Sequence, residues 1–303
     1  MTPLPDFFES PLHLPFNSTS MDGFTLLPPD LETPGADGWW LAIRSNALLL
    51  SERDSVIDLP FGPCPADTSD SHPIFIGTWQ GKPVRVMSMN QGGDVPSGFF
   101  FESLLSANPR MQPSHLSLGG LAGQLLHWEA NSRFCSRCGA ALQRLPGEWG
   151  KKCEGCFALH FPHIHPCVIV AVRRPGEILL TRKREWAPNR YSLVAGFLDP
   201  GECLEEAVAR EVMEETGIAV KNIRYVGSQC WPFPSQVMTG FTADYAGGEV
   251  VVEEKELEDA RWFPLDALPD LPPKRSIARY LIDEAGTRDE GRGNLKSKAI
   301  RGF

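Results

Sequence analysis

A glycine-bounded loop followed by a strictly patterned helix constrains this chain more than any other stretch. Residues 196–218 read Gly196-Phe-Leu-Asp-Pro-Gly-Glu202, seven further residues, then Arg210-Glu211-Val-Met-Glu214-Glu215-Thr-Gly217-Ile218. Leu204, Val208 and Val212 recur at helical spacing, and Gly217 supplies a stop signal. The predicted helix covers Leu204 to Thr216, with one apolar stripe that must lie on a sheet. Residues three and four apart share a helix face, so Glu211, Glu214 and Glu215 point the same way. Converging carboxylates repel unless hard cations join them. Carboxylate oxygens suit Mg²⁺ or Mn²⁺, and such ions also bind phosphate oxygens. The pattern points to a metal-dependent site for phosphate esters or anhydrides. Taken alone, the glutamates also read as an acidic, solvated helix face.

The cysteines carry the second strong signal. Four of the eight fall in Cys135-Ser-Arg-Cys138 and Cys153-Glu-Gly-Cys156, with 14 residues between the pairs. Paired knuckles of this spacing predict one tetrahedral structural Zn²⁺ per chain. A redox dithiol would need only one pair. The formal charge of −9 argues against a broad nucleic-acid-binding surface, which needs a basic excess. No apolar run approaches the roughly 18 residues that span a bilayer, so no membrane partner is expected. Met1 to Thr19 has neither a basic start nor an apolar centre, unlike a secretory signal. A cytoplasmic enzyme is the expectation.

Residues 1–130 predict an α+β N-terminal domain. Trp39–Ile43, Ala47–Leu50 and Pro73–Ile76 read as short strands between turn residues. Phe99–Leu105 and Leu118–Trp128 read as helices, the second on apolar positions close to a 3.6-residue period. A ribbon follows at 131–165 and a third domain at 166–285. Strands are expected there at Cys167–Val172, Ile178–Thr181, Tyr191–Ala195, Ile223–Val226, Val237–Tyr245 and Ala260–Phe263, with a closing helix at Ser276–Glu284. The tail, 286–303, mixes charges and glycine with few apolar residues and reads as disordered.

The full pattern G-x5-E-x7-R-E-V-x-E-E-x-G-I matches the Nudix hydrolase box at every defined position. Ser228-Gln-Cys-Trp-Pro-Phe-Pro-Ser235 closely resembles the S-Q-P-W-P-F-P signature of the NADH pyrophosphatase subfamily, with Cys230 where the subfamily has proline. The resemblance spans roughly 131–285. It implies an α/β Nudix fold, a mixed sheet between helices, behind a zinc ribbon and an α+β domain. It implies hydrolysis of the pyrophosphate bond of NADH or NAD⁺ to the (reduced) nicotinamide mononucleotide and AMP. Removal of NAD caps from RNA 5′ ends is the same chemistry, and a non-catalytic zinc-ribbon nucleotide sensor is the third reading.

The resemblance also assigns roles. Glu211, Glu215, Glu256 and the Ala195 carbonyl would hold Mg²⁺ or Mn²⁺, and Glu214 or Glu256 would accept the proton of the attacking water. Arg210 would brace the loop through Glu202. Substrate would meet Gln229, Cys230, Trp231, Pro232, Phe233, Pro234, Ser235, Gln236 and Ala278. Its ring would stack on Phe161 and Phe197, one of them contributed across a homodimer, although Phe161 reads equally well as a core residue. Glu148, which the resemblance brings close to the ribbon, reads as an added zinc ligand or, by preference, as a surface acid. The signature has a plainer reading too, as a proline-rich turn packing its aromatics into a core.

Overall fold

The computed structural model describes residues 4–5, 7–32, 35, 37–65, 72–92, 94–95 and 97–290. The chain divides into two units, Met1–Pro166 with Ser228–Met238, and Cys167–Gly227 with Thr239–Phe303. Among the described residues no helix is long and apolar enough to cross a membrane.

The first unit is built on a sheet of β1 (Phe24–Leu26), β2 (Gly38–Arg44), β3 (Ala47–Arg53), β4 (Val56–Asp58), β5 (Phe61–Gly62), β6 (Ile74–Trp79), β7 (Lys82–Ser88) and β8 (Phe99–Ser103). The order is β1-β6-β7-β2-β3-β4, with β5 on β2 and β8 on β3. Only the β2–β7 pair is parallel among the registers described. One face is covered by helix α1 (Pro113–Asn131), which opens on a proline in its first turn, where a missing N–H costs nothing. Leu116, Leu118, Ala122 and Leu125 of α1 join Leu41, Leu48, Leu50, Ile76, Val84 and Val86 in one core.

Phe99–Leu105 is not a helix. Phe99–Ser103 forms strand β8, antiparallel to Ala47–Ser51. Three consecutive phenylalanines suit a strand, whose side chains alternate between faces. Arg110 lies 4.2 Å from the centre of the Phe100 ring, and Arg44 the same distance from that of Phe101.

The ribbon is a small antiparallel sheet of β9 (Leu142–Arg144), β10 (Lys151–Cys153) and β11 (Leu159–His160). It is tied to the end of α1 by Lys151. The buried ammonium donates to Glu129 at 2.8 Å, to the Ser132 carbonyl at 3.0 Å and to the Ser132 hydroxyl at 2.9 Å.

The second unit carries a mixed set of strands and two helices. Its elements are β12 (His165–Arg174), β13 (Glu177–Arg182), β14 (Val194–Phe197), α2 (Leu204–Thr216), β15 (Ala219–Trp231), β16 (Gln236–Gly247), β17 (Asp259–Pro264) and α3 (Ile277–Glu290). The order is β15-β16-β12-β13-β17, with β14 on β12. Ala207, Val208 and Val212 of α2 pack on Val168, Val170, Val172, Leu179, Val194, Phe241 and Ala243. Helix α3 runs five residues into the stretch read as tail, and 291–303 lie outside the described residues. β15 and β16 form a long hairpin whose tip, Ser228–Met238, belongs to the first unit.

Candidate active site

The loop ahead of α2 is organised by one cation. Arg210 forks onto Glu202, with Nε 2.6 Å from Oε1 and Nη2 2.8 Å from Oε2. Nη2 also donates to the Phe197 carbonyl at 2.8 Å, and Nη1 to Glu211 at 3.0 Å and Glu214 at 2.9 Å. The Arg210 fork, with the Asp199 N–H added, holds the Glu202 carboxyl down at about 2. Glu202 and Arg210 therefore stitch the loop to the helix. The helix itself starts at Cys203, whose N–H donates to Glu206 at 2.9 Å, a capping contact. It ends at Gly217, left-handed at φ 70°, whose N–H donates to Met213 O at 2.8 Å.

Behind this brace lie the acids. Glu211 and Glu215 are not on a solvated face. The Glu211 side chain is 12% exposed and Glu215 is 3% exposed, while the Glu214 side chain is 61% exposed and leans on Arg210. Strand β14 presents Gly196 to Glu211 so closely that a Cβ there would stand 2.0 Å from the carboxylate. Only glycine fits. Burial raises the Glu211 carboxyl, Arg210 opposes it, and Glu214 and Glu256 add repulsion. Burial pushes Glu215 up to about 8, with Lys183 opposing and with Glu211 and Glu256 adding to the shift. No hydrogen-bond donor reaches the Glu215 carboxylate among the described residues. Glu256 sits in a turn that the Glu253 N–H ties to the Glu215 carbonyl at 3.1 Å. That turn brings the acid from an otherwise solvated charge run to the end of α2. Buried, mutually repelling carboxylates short of donors fit a divalent cation.

Two neighbours of this cluster were absent from the sequence reading. Lys183 faces Glu215 electrostatically. Cys167, 5% exposed and paired in register with Phe197, has its thiol pushed up to about 12 by burial and by Glu211 and Glu215. Nothing in the spacing of either residue marks it. Ala195 of β14, paired with Ile169 of β12, is half-buried, and Phe197 is 50% exposed.

The ribbon gathers its cysteines as their spacing requires. The ligand sulfurs of Cys135, Cys138, Cys153 and Cys156 lie within 4.8 Å of one another. Sulfurs about 2.3 Å from a tetrahedral zinc stand about 3.8 Å apart. Cys135 and Cys156 are separated by 3.7 Å and Cys138 and Cys153 by 3.3 Å. Arg137 N–H donates to the Cys135 sulfur at 3.4 Å, and Gly155 and Cys156 N–H to the Cys153 sulfur at 3.3 and 3.4 Å. Such donors stabilise thiolate: the Cys156 N–H leads in lowering Cys153, while Cys138 is raised in turn, despite the Ala140 N–H, by the facing sulfurs of Cys153 and Cys156. Glu148 is exposed and outside this group.

The signature segment is the tight turn of the β15–β16 hairpin. Trp231 and Phe233 pack edge to face on each other, ring centres 5.1 Å apart, and against the main core of the first unit. Gln229, Pro232 and Ser235 are buried, Cys230 and Gln236 half-buried, and Pro234 exposed. Ser235 is pinned by His165, whose N–H donates to its carbonyl at 2.8 Å and whose Nδ1 lies 3.0 Å from its hydroxyl. Ala278 is buried on α3. Phe161 is 45% exposed and covers Gly150, where a Cβ would come 2.8 Å from the ring.

Comparison with known proteins agrees along the chain. The NUDIX domain family matches residues 163–285, the NADH pyrophosphatase-like rudimentary NUDIX domain 37–128, and the NADH pyrophosphatase zinc ribbon domain 130–161. The NAD-capped RNA hydrolase NudC of Klebsiella pneumoniae is 40% identical over 82% of this chain and 92% of its own. The protein of the same name from Stutzerimonas stutzeri is 42% identical over 72% of this chain and 78% of its own. A crystal structure of a NUDIX hydrolase from Nitrosomonas europaea is 27% identical, covers 53% of this chain and 92% of its own, and superposes with a TM-score of 0.43. Loop, helix, zinc ribbon and relatives agree, and the chain belongs to the Nudix hydrolases, in the zinc-ribbon NADH pyrophosphatase branch.

Proposed function

We propose that this enzyme hydrolyses the pyrophosphate bond of NADH and NAD⁺, and removes NAD caps from RNA 5′ ends by the same reaction. The observation that carries the reading is the buried, donor-poor Glu215 beside Glu211, behind a loop braced by Arg210. Relatives at 40–42% identity bear the name NAD-capped RNA hydrolase. A bare nucleotide sensor has no need of these acids and is not favoured.

Glu211, Glu215, Glu256 and the Ala195 carbonyl would hold the divalent cations, Mg²⁺ or Mn²⁺. When bound, these neutralise the diphosphate and lower the pKa of a coordinated water. Water oxygen attacks one phosphorus, the anhydride P–O bond breaks, and mononucleotide and AMP leave. Glu214 or Glu256 takes the proton. Glu202 and Arg210 hold the loop still, a supporting role. Phe161 and Phe197, both exposed, offer ring faces to the base or nicotinamide. The −9 charge leaves RNA recognition to the capped end rather than to the phosphate backbone. The reading includes a homodimer and a cytoplasmic location.

The test is turnover of NADH, NAD⁺, ADP-ribose and NAD-capped RNA side by side in Mg²⁺ and in Mn²⁺, with AMP or 5′-monophosphate RNA as product. Hydrolysis of ADP-ribose with none of the nicotinamide substrates would overturn it.

A further inference from the structure

The edge of the hairpin that carries the signature is held by a segment outside all three matched domains, which begin at residue 37. β15 is an edge strand, so its outward N–H and C=O groups need partners. At Ser228 and Cys230 one side chain supplies both. Asn17 Oδ1 accepts from the Cys230 N–H at 2.8 Å, and Asn17 Nδ2 donates to the Ser228 carbonyl at 3.2 Å. A carboxamide is the side chain that offers an acceptor and a donor in one plane, as a neighbouring strand would. The residue between is held by the same segment: Gln229 is fully buried and its Nε2 donates to the Pro15 carbonyl at 2.8 Å.

Asn17 is itself held. Its Nδ2 also donates to the Pro11 carbonyl at 2.9 Å. Phe16 beside it is buried and takes φ 75°, a conformation that a bulky residue adopts only where its surroundings insist. They do: the Phe16 N–H donates to Ser117 of α1 at 2.8 Å. Its ring packs edge to face on Trp231 and Phe233, with centres 5.7 and 5.3 Å apart. Pro15, Phe16 and Asn17 thus form a clasp gripping the backbone of 228–230 and the rings of 231 and 233.

The clasp explains the departure at Cys230. Proline, which the subfamily signature has there, carries no N–H. Cysteine restores one, half-buried on an edge strand, and Asn17 takes it. We propose that Asn17 is a positioning residue for dinucleotide binding, acting through the Cys230 amide to fix the Ser228–Ser235 turn. This rests on the reading of that turn as a wall of the NAD(H) site.

A double-mutant cycle between Asn17→Ala and Cys230→Pro tests it. In the wild-type background, Asn17→Ala should raise KM for NADH about five- to tenfold with kcat within about twofold, since an orphaned amide loosens the turn without touching the reacting atoms. In the Cys230→Pro background, which has no N–H to orphan, Asn17→Ala should change KM by less than about twofold. Asn17→Asp keeps the acceptor but turns a carboxylate oxygen onto the Ser228 and Pro11 carbonyls that the amide donates to, and should also raise KM. Amide exchange at Cys230, read by NMR or mass spectrometry, should be slow in the wild type and at least about tenfold faster in Asn17→Ala. An unchanged KM with only a lowered Tm, or an equal KM rise in the proline background, would overturn the proposal. A wild-type chain that hydrolyses no dinucleotide defeats the functional reading instead. In that case unprotected exchange at Cys230 would count separately against the clasp.

Discussion

At the scale of single residues, Glu211 and Glu215 have been given different surroundings from Glu214, and that difference predicts different phenotypes. Glu211→Gln and Glu215→Gln should each lower turnover by about two orders of magnitude or more, the scale on which a buried electrostatic stabiliser acts. Folding should be intact, because glutamine keeps the size and shape of each side chain and removes an ionisable group from a cluster of carboxylates that repel one another. Near-wild-type turnover of both variants in saturating Mg²⁺ would remove them from the metal site. The same acids predict a pH dependence of the metal-free protein. Glu215 titrates at about 8 when folded, against an ordinary value of 4.5. The folded chain therefore binds the extra proton between those values, and unfolding free energy falls as pH rises through that window. In EDTA the wild-type Tm should drop from pH 5 to pH 9 more than that of Glu215→Gln, and added divalent cation should close the gap. Parallel Tm profiles in EDTA would show that Glu215 is not held in a hostile environment. The sequence showed that these acids share a helix, because periodicity is a local property. It did not show that two of them are sunk and one exposed, since the depth is set by Gly196 on β14 and by the turn that carries Glu256. Lys183 and Cys167 reach the cluster through the fold alone.

At the scale of elements, the ribbon should hold one zinc independently of the catalytic cation. Sulfur separations of 3.7 and 3.3 Å and three backbone N–H donors preorganise thiolates for a tetrahedral ion. Elemental analysis after mild EDTA dialysis should find about one zinc per chain, with activity lost until Mg²⁺ returns. Protein purified without chelator that contains no zinc would contradict this. α2 was legible from end to end because its apolar stripe, its acids and Gly217 all agree on one helix. β8 was not, because a run of three phenylalanines carries no period, and its partner β3 lies some fifty residues earlier in the chain. The signature was recognised from its prolines and aromatics. Its grip by Asn17 was invisible, since those hydrogen bonds join residues more than 200 positions apart. The aromatics at 231 and 233 do pack into a core, so the structural reading and the pocket-wall reading of the segment are not exclusive.

At the scale of the whole molecule, the first unit carries apolar surface that a lone copy leaves in water. Phe134, Phe161 and Ile164 are 65%, 45% and 46% exposed, and all three line one cleft of about 260 Å³ beside Trp128. In the proposed homodimer, burying such side chains against the second copy would contribute roughly 25 cal/mol per Å². Charge opposes it, since each copy carries −9. Screening should therefore tighten a dimer rather than loosen it, and sedimentation should give a larger dimer fraction at moderate than at low salt. Phe161→Ala should weaken that dimer and raise KM for NADH, by about ten- to hundredfold if the ring stacks as bases do on aromatic platforms. Mixing distinguishes a ring given to the chain's own site from one given to the neighbour's. A Glu211→Gln chain lacks turnover and retains Phe161, whereas a Phe161→Ala chain retains its acids and lacks the ring. If the ring crosses to the neighbouring copy, each mixed dimer contains one site with both Glu211 and Phe161. A low-KM component should then appear on mixing, with up to half the wild-type sites in each mixed dimer. If the ring serves its own chain, no combination restores it and KM stays at the Phe161→Ala value. The absence of a low-KM component in dimers shown to have exchanged subunits would therefore rule out a shared site.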